Sequence, residues 1–280
     1  DDYGQLITLD YTLITQSVVA SYETRTPTPR GGSEVTDKSV VEAINPPVYN
    51  LPNLRLGFIP SKLHVPAGYW RSVAHSWTTF FMESFMDELA VAAGKDPLAF
   101  RYAALQGRPR HLRVLDELVS QRGNSTPDGI GYAVSESHGT VVAQAVEVAT
   151  VDGEFARVTR VVAAVDCGPV VHPDNVKAQI EGSIVDGLSA ALYGQANIRE
   201  GVVVPGNFDR YRRMRINECP EIEVRLVQSQ QKRPGGVGEP GVPGAAPALL
   251  NAIYAATGQR IRNLPVYAAA PESAATPEPL

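Results

Sequence analysis

The segment that most restricts the fold of this chain is Gly235-Gly236-Val237-Gly238-Glu239-Pro240-Gly241-Val242-Pro243-Gly244. Glycine opens backbone conformations that other residues avoid, and proline fixes φ while removing a donor. Neither a ladder strand nor a helix interior tolerates that density of both, so the segment predicts an irregular turn, residues 234–244, fitted closely between regular elements. One ionisable side chain, Glu239, stands in its middle. A carboxylate held by rigid backbone beside open space suits general-base chemistry. The plain alternative is a solvated Glu on an exposed loop. The stretch also fits G-x-G-x-x-G at Gly236, Gly238 and Gly241. No apolar strand leads into it and Pro240 interrupts it, so it does not read as a dinucleotide fingerprint.

Composition narrows the class. Of 280 residues, 44% are hydrophobic, which supports a buried core and excludes wholesale disorder. Lys and Arg number 25 against 30 Asp and Glu, for a net charge of −5. Nucleic-acid binding by bulk electrostatics is disfavoured by that balance. Two cysteines, Cys167 and Cys219, can complete neither a zinc site nor an iron–sulfur cluster. No apolar run approaches the 18 or so residues of a membrane span. The opening residues, DDYGQLITLDYTL, lack a basic and then apolar leader and read as a strand without a lead-in. The expectation is a cleaved or truncated product, or one subunit of a larger unit.

Periodicity places the elements. Residues 1–22 read as strand, and the polar 23–39 as an exposed loop. Leu54, Leu56, Phe58 and Ile59 suggest a short strand among prolines. Phe81, Phe85 and Leu89 recur every four residues and predict a helix over 75–93, with Gly94 to close it. Asp96-Pro97 caps a second helix, to about Leu105. Leu112, Leu115 and Leu118 mark a third, over 111–120. The period then falls to two in 139–151 and 156–166, a hairpin-like pair around DGEF. Val176, Ile180, Ile184, Leu188 and Leu192 form the stripe of a long helix over 174–193. Short strands near 202–204 and 221–227 and a last helix over 245–257 follow. The mixture predicts an α+β fold with mixed sheets and packed helices. Residues 1–44 read as a strand and loop continuing from elsewhere, 45–267 as the main domain, and 268–280 as a disordered tail.

Three further stretches carry polar groups in suggestive settings. In Val165–Asn175 a strand ends, the chain turns at Gly168-Pro169, and a capped helix brings in Gln179. The Gln179 amide can donate to or accept from a neutral ligand oxygen, or simply face solvent. In Gly68–Ser76, Arg71 stands behind Trp70 and can present a planar donor fork, or merely pack on that ring. In Ser135–Thr140, Ser137 and His138 invite a hydrolase reading. Neighbours on a strand point to opposite faces, however, and no G-x-S-x-G elbow is present. The five histidines show no metal-ligating spacing.

Together the blocks WRSVAHS with FFMESFMDELAVAAGKDPLAFR, AVDCGPVVHPDNVKAQIEGSIVDGLSAALYG, and GGVGEPGVPGAAPALLNAIYAATGQRIRNLP resemble, in that order, the molybdopterin-binding large subunit of the xanthine oxidase/aldehyde oxidase family. The nearest branch is that of isoquinoline 1-oxidoreductase β-subunits and membrane-bound aldehyde dehydrogenases. The resemblance covers about residues 45–265. It implies a molybdopterin cofactor, as the cytosine dinucleotide, whose dithiolene holds molybdenum without protein ligands. Glu239 would be the general base on the metal's hydroxyl as that oxygen attacks an aldehyde or N-heterocycle carbon, with hydride passing to a sulfido ligand. A buried, apolar setting for Glu239 is the corresponding expectation. Gly238, with Val237 beside it, would bring backbone close to the metal's ligands, and Gln179 and Arg71 would contact the cofactor. The turn that usually reads Arg-Gly-Phe-Gly reads Arg71-Ser72-Val73-Ala74 here. Val73 therefore stands at the substrate-contacting aromatic position.

The family's Gly-Gly-Gly-Phe-Gly and Gly-Gln-Gly segments do not occur, so the chain resembles the C-terminal half of the large subunit. The implied partners are the other half, a small subunit with two [2Fe–2S] clusters, and a cytochrome c subunit, with no nucleic acid. The implied location is the periplasm or the inner membrane surface, with the cytoplasm as the alternative. The competing readings are a non-catalytic assembly subunit and a Ser/His hydrolase.

Overall fold

The computed structural model describes residues 1, 3–23, 37–123 and 126–268. Residues 24–36 of the predicted loop and 269–280 of the predicted tail lie outside the described residues. The centre is a four-stranded sheet built from β3 (Gly129–Ser137), β4 (Thr140–Val151), β5 (Glu154–Asp166) and β8 (Glu221–Leu226), in that order. The first two pairings are antiparallel and β5 with β8 is parallel. The strand β3 was not among the predicted elements. Its glycines and serines dilute the apolar alternation that marks β4 and β5.

Both faces of this sheet are covered. Val142, Val146, Val161, Ala163 and Val165 meet Ile180, Ile184 and Leu188 of α5 (Pro173–Tyr193) and Leu249 and Ile253 of α6 (Val242–Thr257). On the other face Val141, Ala143, Ala145, Val162 and Ala164 meet Val114, Leu115 and Leu118 of α4 (Pro109–Arg122), with Met82 and Met86 of α2 (Val73–Ala92). Burial on both sides explains why the strands are almost continuously apolar. Each fully buried Leu or Ile contributes about 1.5–3 kcal/mol. The helix α6 lies against β3 so closely that a Cβ at Gly131 would stand 2.2 Å from the Ala248 carbonyl oxygen. Only glycine admits that approach.

Smaller elements complete the chain. The strands β1 (Leu9–Thr15) and β2 (Leu54–Pro60) pair in parallel, Leu9 opposite Leu54. The predicted strand over 1–22 is therefore too long, because Val18–Glu23 forms the helix α1. Among the described residues the hairpin of β6 (Ile198–Arg199) and β7 (Val202–Val203) pairs with no other strand. The last helix begins three residues before the expected 245, since Pro243 is accommodated in a first turn, where its missing N–H bonds nothing.

The helix α2 forms close to the expected range, over Val73–Ala92. Its regular stripe of Phe81 and Phe85 remains 41% and 43% exposed, while Phe80, Met82, Met86 and Ala90 are buried. Two acidic residues, Glu83 and Asp87, turn inward with them. Arg101 of α3 (Pro97–Ala104), fully buried, donates from Nε to Glu83 Oε2 at 2.9 Å and from Nη2 to the Glu83 carbonyl at 2.9 Å. Tyr49 also donates to Glu83, and Arg260 donates to Asp87 at 3.0 Å and to Asn251 at 3.1 Å. Asn251 in turn reaches the carbonyls of Glu83 and Tyr132. This network pins α2 to α3, α6 and β3 and so fixes where the start of α2 lies. Removing one partner of a buried pair leaves the other charge uncompensated, which costs about 3–5 kcal/mol. Arg101→Leu is expected to lose that much in urea unfolding; a loss below about 1 kcal/mol, the value of an exposed pair, would show that Glu83 and Asp87 do not depend on Arg101 for compensation.

Candidate functional site

Four pieces of chain, far apart in sequence, meet at the glycine-rich loop. The first is the turn into α2. Ser72 and Val73 both adopt positive φ, 74° and 43°, conformations that are costly for residues with a Cβ. Ser72 is fully buried and caps nothing on its own helix. Its N–H donates to Glu239 Oε2 at 2.9 Å, and its hydroxyl donates to the Glu239 carbonyl at 2.7 Å. Arg71 Nε donates to the Gly238 carbonyl at 2.6 Å. Two consecutive residues thus clamp two consecutive residues.

The second piece is α5. Gln179 lies on its second turn, and Arg71 Nη2 donates weakly to its carbonyl and its Oε1, at 3.3 and 3.4 Å. Arg71 Nη1 meets Asp186 at 2.6 Å, and Arg213 pairs with the same carboxylate. A Cβ at Gly241 would stand 2.8 Å from the Ile180 carbonyl oxygen, so the loop lies directly on this helix. The third piece is the β3–β4 turn. Gly236 N–H donates to the His138 carbonyl at 2.8 Å, Thr140 Oγ1 donates to the Gly236 carbonyl at 2.6 Å, and His138 Nε2 lies 3.0 Å from Glu239 Oε2. The fourth is the sheet itself, where fully buried Gln144 donates to the Gly241 carbonyl at 2.7 Å.

Arg71, Gln179, Gly238 and Glu239 are therefore brought together. Val237 packs partly buried against the core, and Val73 is half-buried at the start of α2. The buried, apolar setting expected for Glu239 is not found. Its side chain is 40% exposed; Oε2 accepts from the Ser72 N–H and lies 3.0 Å from His138 Nε2, while Oε1 has no partner among the described residues. The Gln179 Nε2 donor is likewise open. A cavity of about 220 Å³ adjoins Arg71, lined by Trp70, Asp186, Ser189 and Tyr211. Ser137 is buried with its hydroxyl unpartnered, and His138 turns to Glu239. The hydrolase pair is thus not assembled.

Sequence reasoning missed Ser72, Asp186 and Gln144, and it set His138 aside as a strand residue. His138 is in fact at a turn with φ 52°, and Gly139 after it was the available signal. Ser72 carried a subtler one, since it occupies the place of a glycine in the turn it resembles.

Residues 116–220 match the molybdopterin cofactor-binding domain family. The chain is 34% identical over 227 residues to "Isoquinoline 1-oxidoreductase subunit beta" of Brevundimonas diminuta, across 78% of this chain and 29% of that protein. It is also 34% identical to "Membrane-bound aldehyde dehydrogenase [pyrroloquinoline-quinone]" of Gluconacetobacter polyoxogenes, across 71% of this chain and 29% of that protein. The chain belongs to the xanthine oxidase family of molybdenum-binding subunits. Its fold is similar to that of quinoline 2-oxidoreductase from Pseudomonas putida 86, with a TM-score of 0.69 at 13% identity, over 92% of this chain and 58% of that one. The expected α+β class and family resemblance are both borne out. The chain spans under a third of the two curated relatives.

The residues of this xanthine oxidase family member fit a molybdopterin. Among the described residues no group of three His, Cys, Asp or Glu could hold a metal ion. Open donor and acceptor atoms on Gln179 and Glu239, set on clamped backbone, suit contacts to such a group.

Beside the site, the His75 ring of α2 lies 5.6 Å from that of His138, tilted by 53°, and its buried Nδ1 has no partner among the described residues. Burial first, and then the neighbouring His138, lower its pKa to about 4. In the unfolded chain it titrates near the ordinary histidine value of about 6.5. The unfolded state therefore binds more protons between these values. The stability His75 allows is full above pH 6.5 and is lost as pH falls toward 4. Thermal midpoints should drop across that window, and His75→Phe should flatten part of the drop; an unchanged slope would show that His75 is not buried neutral.

Proposed function

We propose that this chain forms one wall of the active site of a molybdenum hydroxylase that oxidises an aldehyde or an N-heterocycle, with water as the source of oxygen. The observation that carries the reading is Glu239. Its position is clamped through backbone by Arg71 and Ser72, and one carboxylate oxygen is left open. Molybdenum hydroxylases of this family supply two-electron redox chemistry through molybdopterin, in our reading the cytosine dinucleotide form. Molybdopterin is favoured over the quinone in one relative's name because residues 116–220 match a molybdopterin-binding family.

Within that chemistry the chain's residues divide the work. Glu239 Oε1 takes up the proton released as oxygen attacks the substrate carbon. Gln179 Nε2 donates to a cofactor oxygen. Arg71 holds Gly238, whose missing side chain leaves space within reach of Gln179. Val73 replaces the usual aromatic contact and leaves more room for the substrate.

Tyr69, Trp70, Phe81 and Phe85 are exposed. That much surface apolar area supports a covering partner, which we take to be the other half of the large subunit. A small subunit with two [2Fe–2S] clusters, and a cytochrome c beyond it, would carry the electrons away. We place the complex in the periplasm or at the inner membrane surface. Among the described residues no helix is long and apolar enough to cross a membrane.

General-base assistance is worth about 10²–10⁴ in rate. Glu239→Gln in the native complex should keep its molybdenum, measured by elemental analysis, and lose turnover by that factor. Wild-type turnover would remove Glu239 from the mechanism. Native mass spectrometry of the complex should show at least one further chain and a bound molybdopterin; an isolated, fully active single chain would end the shared-site reading.

A further inference from the structure

The two contacts on Glu239 fall on the same oxygen. Ser72 N–H reaches Oε2 at 2.9 Å and His138 Nε2 stands 3.0 Å from it, while Oε1 is free. For this pair to attract, Nε2 has to carry the hydrogen, since a carboxylate can only accept. The last torsion of a glutamate is otherwise broad and nearly two-fold, leaving its oxygens interchangeable. The Ser72 N–H on one oxygen, with the imidazole 3.0 Å from the same atom, removes that equivalence.

His138 is well placed to aim. The turn that carries it, with φ of 52° at His138 and 77° at Gly139, is tied to the glycine-rich loop by the His138 carbonyl and by Thr140. Those ties use backbone and the neighbouring threonine, so they survive replacement of the imidazole. The imidazole itself is 39% exposed. His75 flanks the ring on the α2 side. The side chain therefore adds little to the core, and its distinctive contact is the one with Glu239.

We propose that His138 is a positioning residue that, with the Ser72 N–H, holds Glu239 so that Oε1 alone is presented for proton uptake. The inference rests on reading Glu239 as the base. It assigns the β3–β4 turn a part in the reaction.

The test uses the native complex. Asparagine tolerates positive φ but is too short to reach Glu239, whereas glutamine restores the reach of an N–H donor. His138→Asn should lower kcat about tenfold to a hundredfold, as expected for losing a hydrogen bond to a charged group, and leave KM unchanged. His138→Gln should recover most of the loss. A second readout does not involve turnover. Carbethoxylation of His138 by diethyl pyrocarbonate, followed by peptide mass spectrometry, should be faster in Glu239→Ala than in the unaltered complex, because the variant frees Nε2. Equal labelling in the two forms, or wild-type kcat in His138→Asn, overturns the proposal. Wild-type kcat in His138→Asn together with an inactive Glu239→Gln rejects the positioning role alone. An active Glu239→Gln rejects the base itself.

Discussion

The site depends on a clamp between two pairs of adjacent residues. Arg71 and Ser72 hold Gly238 and Glu239 through three hydrogen bonds, across 167 positions of sequence. Two of the three accept on backbone carbonyls, so they set the path of the loop before they set any side chain. The third orients the carboxylate. Ser72 and Val73 sit at positive φ, a cost that must be met by the surrounding contacts. The strain coincides with the residue that touches Glu239, which is where a functional constraint would place it.

The rest of the fold keeps the clamp's two sides in register. One side is the start of α2, held by the buried Glu83, Asp87, Arg101 and Arg260 network. The other is the loop between β8 and α6, seated on α5 at Gly241 and on the sheet through Gln144. Burial pushes the Glu83 carboxyl up despite Arg101, so the network lies at the expensive end of polar burial. Such an arrangement specifies geometry more than it adds stability. Fixing the angle of α2 against the sheet is the use it serves here.

Much of the scaffold was legible because its signals are local. The stripe Ile180, Ile184 and Leu188 and the alternation of β4 and β5 follow from period alone. Asp96-Pro97 capped the second helix as expected, its carboxylate accepting from Leu98 and Ala99 N–H. Period located α2 but not its inner face, since the regular phenylalanines stay exposed and the charged Glu83 and Asp87 go inside. Hydropathy cannot anticipate that exchange, since the charges are tolerated only because Arg101 and Arg260 arrive from elsewhere. The strand β3 was invisible for a related reason: its glycines are there to admit α6, a tertiary demand with no local signature.

The amino-acid order alone determined the loop's irregularity, the single carboxylate within it, the main helices and the family to which the motifs belong. Each of these is carried by neighbouring residues, through backbone freedom, capping or periodicity. Tertiary structure alone decided that Glu239 is half exposed rather than buried, that Ser72 and His138 share its Oε2, and that Gln144 and Asp186 hold the surroundings. Those outcomes rest on contacts between segments up to 167 residues apart, and no local pattern encodes the distance across which they close.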